Sequence, residues 1–413
     1  MSDGVNAVSP SVGQLVHADT ASAGGKHGLG CASDTHIAAC ALSGDPPSPS
    51  NLVVYDGDGR RLWDDGGILG GTAATSAPLI GADGTVVAAD QNWILRGDPT
   101  RQTILWKSAK PDLGRPLGPV VIGADASMIL LVTGGSAAGT PEVSVWDASS
   151  GALLAHQAIV DPDTHIVYGT QNTAATTGNR AYVLTAAVDN PADGRLYAID
   201  VCDADDCGGR GTMTIAWHYD FAGPSGASPL LIGTQVYFDG RPAAGGGTFI
   251  AVKDRGATPR LLWKKAYTGQ FVAGAALDPR GGLWVYPVPG SYALLRLDAG
   301  TGNTLQTVPI SAAAGLPSGY SGGSAVSVSK SAGGAVVLTL GIRPLLDARL
   351  ANYVAALDVS STATGSALWL YPVAATTQVN SAQGQFPIVY GGSGARRVVY
   401  TGTNTGTFFV GEP

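Results

Sequence analysis

The stretch Ala356–Trp369, ALDVSSTATGSALW, reads as a strand ending at Asp358, a polar turn with Gly365, and a second strand ending at Trp369. The unit recurs. VVYDGDGRRLW ends at Trp63, VWDASSGALL carries Asp147 and Gly151, and YAIDVCDADDCGGRGTMTIAW ends at Trp217. IAVKDRGATPRLLW ends at Trp263, LRLDAGTGNTL carries Asp298 and Gly302, and ILRGDPTRQTILW ends at Trp106 as a looser copy. With Leu154 and Leu305 standing where two copies lack the Trp, successive positions lie 42 to 64 residues apart. That spacing is the period of a four-stranded propeller blade, lengthened where loops intervene.

Composition supports an almost entirely β chain. Only 13% of the 413 residues are charged, where about 25% is usual, and 59 are Gly and 25 Pro. No segment shows the apolar spacing of an amphipathic helix. A repeat array grows by stacking units that bury one another's faces, so one propeller domain over residues 13–413 is expected, behind a disordered or extended segment 1–12. Stretches such as TSAPLIGADGTVVAA, ASPLLIGTQVYF and QFPIVYGGSGARRVVYTG mark the inner strands. They predict an eight-bladed β-propeller, with seven blades as the smaller alternative. The last unit lacks an outer strand and VGQLVHAD precedes the first with nothing to pair with. Gly13–Asp19 is therefore expected beside Thr407–Val410, closing the ring and removing its open edges.

The repeat, A-x-D followed by a turn, a Gly and x-x-x-W, resembles the tryptophan-docking motif of the quinoprotein alcohol-dehydrogenase-like (PQQ-repeat) β-propeller superfamily, which includes the outer-membrane-assembly propeller lipoprotein. The resemblance spans roughly Gly13 to Val410. It implies the propeller architecture and two activities: a pyrroloquinoline-quinone-dependent dehydrogenase with calcium, or a non-catalytic protein-interaction scaffold. The enzymes of that superfamily carry an adjacent-Cys disulfide over the quinone; this sequence has no Cys-Cys pair. No cofactor is expected outside the dehydrogenase reading. At the repeat Trp positions, an indole wedged between blades is worth about 2–3 kcal/mol, which is reason enough for the residue.

Four cysteines fall in two close pairs, Cys31 with Cys40 and Cys202 with Cys207. Neither spacing suits a zinc site, and no metal-ligating set stands out. Two local disulfides are expected, and with them an oxidising compartment, secreted or periplasmic. The net charge of −7 offers no basic stripe to nucleic acid. No apolar run is long enough to span a membrane. A monomer is expected, with a small-molecule or glycan ligand or a protein partner.

In a propeller the first-to-second and third-to-fourth strand turns share one face. The second-to-third loops and the crossings between blades share the other. Here the turns are short, as in GADG and TGNR, and the opposite loops are long, as in DGRPAAGGGT and GIRPLLDARLAN. Function concentrates where a loop exceeds what a turn needs. The densest segment is VDPDTHIVYGTQN, Val160–Asn172. His165 and Tyr168 in it are candidate acid and base, Arg115 a candidate cation for a carboxylate, and His27 a further catalytic candidate. Lys26, Gln171, Asn172, Gln270, Tyr320, Arg343 and Gln385 are candidate ligand-binding residues, suited to the hydroxyls of a sugar. These residues point first to a carbohydrate-active lyase or hydrolase. His165 and Tyr168 converge only if the crossing between them bends, for which Gly169 is placed.

Overall fold

The computed structural model describes residues 51–361 except 71–76, 113, 135–140, 171, 188–189, 191, 205–206, 226, 243–244, 268–269, 272–273, 289–291, 323–325, 332–333 and 346–349; outside that span it describes 7–8, 14–19, 26–34, 36–44, 364–373, 388–390, 397–400 and 407–411. The protein is an all-β propeller with four antiparallel strands per blade. Its one described helix is a single turn, Ile310–Ala313.

The sequence builds each blade by grading burial across it. In the third blade, Met128–Gly134 is buried at every position and Glu142–Asp147 at all but its ends. Such strands are covered on both faces, so their sequences run apolar without alternation. Outer strands alternate instead: in Thr103–Ala109 the buried Trp106 lies between exposed Leu105 and Lys107. Only one face of that strand meets protein, which is why the period-2 pattern appears there.

The chain divides into two compact units. One, residues 65–271 with 49–52, holds the second to fifth blades, built on the outer strands Thr103–Ala109, Leu153–Ala158, Met213–Ala222 and Pro259–Tyr267. Its cores form between adjacent sheets. Leu117, Leu130 and Val143 of the third blade pack with Ala181, Tyr197 and Met213 of the fourth. The other unit, residues 1–48, 53–64 and 272–413, holds the first, sixth and seventh blades. There Trp284 and Leu294 share a core with Leu338 and Leu357.

Seven blades are thus built from strands consecutive in the chain, between Lys26 and Val373. A composite sheet follows, in which the expected N-terminal strand is present. Gln14–Asp19 pairs antiparallel with Thr407–Gly411, beside Arg397–Tyr400 and Ile388–Tyr390. Farther upstream, Ala7 and Val8 pair in parallel with Lys330 and Ser331.

Each of the seven blades carries a β-bulge at the same place, where the outer strand gains one residue against its neighbour. The bulge corrects the repeat alignment. In the second blade Leu105 is the extra residue and Trp106 sits opposite Arg96. In the third the extra residue is Leu154, and in the sixth it is Leu305. The true counterparts of the Trp are therefore Ala155 and Gln306, one residue later than hydrophobicity suggested.

Two of the Trp positions dock onto the next blade by hydrogen bonds. Trp106 donates its indole N–H to Ala148 O at 3.0 Å, and Trp217 donates to Asp254 Oδ1 at 3.2 Å. Gln306 does the same by amide, donating to Ser361 O at 2.5 Å and Val359 O at 3.4 Å. Both expected disulfides are present. Cys31 and Cys40 face each other across a strand pair with Cα atoms 4.1 Å apart, and Cys202–Cys207 closes the acidic turn.

Candidate functional site

The crossing from the third to the fourth blade folds on its own backbone. Asp161 N–H donates to Ile166 O at 2.9 Å, His165 N–H to Asp161 O at 2.9 Å, and Val160 bridges Val167. Asp161 holds the turn together: its Oδ1 accepts from the backbone N–H of Asp163 at 3.0 Å and from the hydroxyl of Thr164 at 2.7 Å. The crossing does bend, but at His165, whose φ is +57°, and not at Gly169, which pairs in strand with Ala186. A left-handed His is uncommon, and the carboxylate-bound turn supplies the compensating hydrogen bonds.

This bend separates the fates of the two candidate acid/base groups. His165 is exposed at the turn. Tyr168 is buried, its ring edge-on to Tyr197 with centroids 5.6 Å apart and with the Arg195 guanidinium 5.0 Å from its centroid. Burial pushes the Tyr168 phenol up, against the pull of Arg195.

Arg195 is the centre of the cluster. It donates to Asp161 Oδ2 by Nη1, to Asp220 Oδ1 at 2.6 Å by Nε, and to the Tyr197 hydroxyl at 3.4 Å. His218 Nε2 lies 3.8 Å from the same Asp220 oxygen, and its ring is 6.0 Å from that of Tyr197. For Asp161, burial alone raises the carboxyl, but the Thr164 and Arg195 hydrogen bonds outweigh it and hold the pKa at about 2. The guanidinium is engaged by two carboxylates at once.

Strand register explains why sequence reasoning passed over this group. Arg195 and Tyr197 are two apart on one strand, and on the neighbouring strand Asp220 and His218 sit directly opposite them. The signal is R-x-Y facing H-x-D, which is visible only once the two strands are aligned.

The other sequence-derived candidates are dispersed. Arg115 is exposed on a two-residue strand paired with Gly134, and among the described residues no hydrogen bond or ion pair joins it to His165 or Tyr168. Asn172 is buried, with its side-chain amide donating to Ser225 O at 3.4 Å. Tyr320 is buried, its carbonyl accepting from the Ser311 hydroxyl at 3.0 Å. Arg343 is half-buried opposite Ser321. Lys26 and His27 lie in strand opposite Gly44 and Ser43, and Gln270 lies in the strand Gln270–Phe271. Gln171 and Gln385 fall outside the described residues.

Comparison with known proteins places the fold. No protein-family model and no curated protein sequence matches the chain. Among solved structures, a Dos1 propeller superposes with a TM-score of 0.57 at 10% identity, over 94% of this chain and 92% of that one. The quinohemoprotein alcohol dehydrogenase of Comamonas testosteroni gives 0.55 at 14% identity, over 95% and 77%. A europium-containing methanol dehydrogenase gives 0.53 at 12% identity, over 94% and 84%. These likenesses show a shared β-propeller fold, the architecture the Trp repeat suggested.

Proposed function

We propose that the protein is a secreted or periplasmic β-propeller that binds a carbohydrate on the face carrying its long loops, and that binding rather than turnover is its role. One observation carries the second half of this reading: Arg195, the cation nearest the Tyr168 candidate, is committed to Asp161 and Asp220, and the Tyr168 ring is packed beneath it. A β-elimination needs a cation free to neutralise the substrate carboxylate and a base that reaches solvent.

The two disulfides support an oxidising compartment. No helix among the described residues is long and apolar enough to cross a membrane. The composite sheet serves as an eighth, closing blade in this reading. Its outer strand has the shared bulge in the shared place, with Val16 the extra residue and His17 at the register position the Trp holds elsewhere.

A lyase or hydrolase using His165, Tyr168, Arg115 and His27 is the second reading, favoured by the exposed imidazole of His165 on the same crossing. The quinone-dependent dehydrogenase fits poorly. Each disulfide joins cysteines of one hairpin or turn, nine and five residues apart, where the resemblance implies an adjacent-Cys bridge. Screening the purified protein on an oligosaccharide array, then assaying every binder for cleavage, separates the readings. Binding without cleavage, retained in His165→Ala, is the expected result; cleavage lost in that variant would install the enzyme.

A further inference from the structure

The third blade has no Trp with which to dock onto the fourth. Trp106 of the second blade reaches the third at Ala148 O, and Trp217 of the fourth reaches the fifth at Asp254. In the third blade Ala155 holds that register position and has no side-chain polar group to offer. This seam is fastened from the opposite side. In the fourth blade residues 202–212 join the third strand to the last, a connection that the fifth blade makes with residues 255–258. From the longer loop, Arg210 donates to Asp147 Oδ2 at 2.5 Å by Nη1 and to Ser127 O at 3.1 Å by Nη2, both in the third blade. Gly211, at φ +90°, lies against Leu154 of the same blade, where a Cβ would fall 2.6 Å from the Leu154 Cβ.

Arg210 reaches its partners because the loop is held in one shape. Cys202–Cys207 closes its first half. Its second half is tied by Gly211 N–H to Cys202 O at 2.7 Å and by Cys202 N–H to Thr212 O at 2.8 Å. Cys202 thus anchors both halves. Gly208, Gly209 and Gly211 all take positive φ, so this stretch has wide backbone freedom once the covalent closure is removed. The bridge is also open to attack, since Cys207 is exposed.

We propose that Cys202–Cys207 is a thiol-operated latch on the seam between the third and fourth blades: oxidised, it holds Arg210 on Asp147 and Ser127; reduced, it lets Arg210 go. The reductant is a dithiol. One thiolate attacks Cys207 Sγ and forms a mixed disulfide, and Cys202 leaves as a thiolate that takes up a proton. The second thiol then displaces Cys207, so two electrons and two protons pass to the bridge and the reductant departs as a disulfide. Release reaches beyond the loop because Ser127 O also accepts from Ala148 N–H at 2.9 Å, joining two turns of the third blade at the atom Arg210 holds. The crossing between the same two blades carries the Asp161–Arg195 contact, so the latch acts on the seam that bears the candidate cluster. The proposal does not depend on the ligand being a carbohydrate.

The test is hydrogen–deuterium exchange of the full chain, read at the Gly123 amide, which donates across the seam to Gly178 O at 3.0 Å. Dithiothreitol is added to wild type until intact mass shows one bridge opened, a gain of about two hydrogens. Gly123 should then exchange about tenfold faster, and reoxidation should restore the slow rate. Oxidised Arg210→Gln should show the same acceleration, as should the double variant Cys202→Ser/Cys207→Ser. Dithiothreitol should accelerate Arg210→Gln no further, because bridge and guanidinium act through one contact. Unchanged exchange in reduced wild type overturns the latch, and so does a dithiothreitol effect that adds in full to that of Arg210→Gln. Opening of Cys31–Cys40 ahead of Cys202–Cys207 overturns it as well. The wild-type measurement needs no variant, so a double variant that fails to fold leaves the test intact.

Discussion

Gly151 lies against the indole of Trp106: its φ is +71°, and a Cβ built on it would fall 2.5 Å from the ring. The glycine is required twice over, by its left-handed backbone and by the close approach of the docked Trp. Gly151→Ala should therefore cost about 2–3 kcal/mol, through strain and displacement of the indole. Trp106→Phe, which keeps most of the apolar area and loses the N–H, should cost about 1 kcal/mol or more. Urea unfolding of both variants checks the order; equal stability of Gly151→Ala and wild type would contradict the docking geometry.

Arg195→Gln should destabilise the protein by about 3 kcal/mol, because it leaves the buried Asp161 carboxylate facing the lost charge. The same pair gives acid sensitivity. The folded pKa of Asp161, about 2, is below the unfolded carboxylate value of about 3.9, so its contribution is present above that value and is lost as pH falls towards 2. Asp161→Asn should melt lower than wild type at pH 6 and lose less stability than wild type on acidification. Parallel melting curves against pH would show that the carboxylate does not act this way.

Removing residues 1–20 deletes the strand Gln14–Asp19 and exposes the backbone edge of Thr407–Gly411. An uncovered edge offers unpaired N–H and C=O groups, so the truncated protein should melt several degrees lower and self-associate more readily. Calorimetry with light scattering tests both; an unchanged melting temperature would mean the composite sheet contributes nothing to closure.

The disulfides should differ in their response to reductant. Cys31 and Cys40 are both buried, whereas Cys207 is exposed at the acidic turn. A mild thiol should open Cys202–Cys207 first, and full reduction after unfolding should add about four hydrogens for two bridges. Intact-mass spectra over a reduction time course give the order. Opening that bridge should loosen Arg210, which lies three residues beyond Cys207 and pairs with Asp147 of the preceding blade at 2.5 Å.

Local chemistry made much of this protein readable from its sequence. The Asp-turn-Gly-Trp unit declares the blade because each piece acts within a few residues: an Asp caps a turn, a Gly takes a positive φ, and a ring ends an outer strand. Cysteines five and nine residues apart could hardly pair with anything but each other. The N-terminal strand was assignable by counting, since one blade lacked a strand and one strand lacked a blade. Other features needed the folded chain. A bulge shifts register by one, so Ala155 and Gln306 occupy positions that hydrophobicity had given to Leu154 and Leu305. The charge cluster depends on Arg195 meeting Asp220 across a strand pair and Asp161 across a crossing, contacts 25 and 34 residues apart in sequence. Whether an arginine is answered by a carboxylate, as Arg195 is, or left with an empty donor, as Arg343 is at its Nε, was decided by tertiary packing alone, because burial and pairing are properties of neighbours that the linear chain does not name.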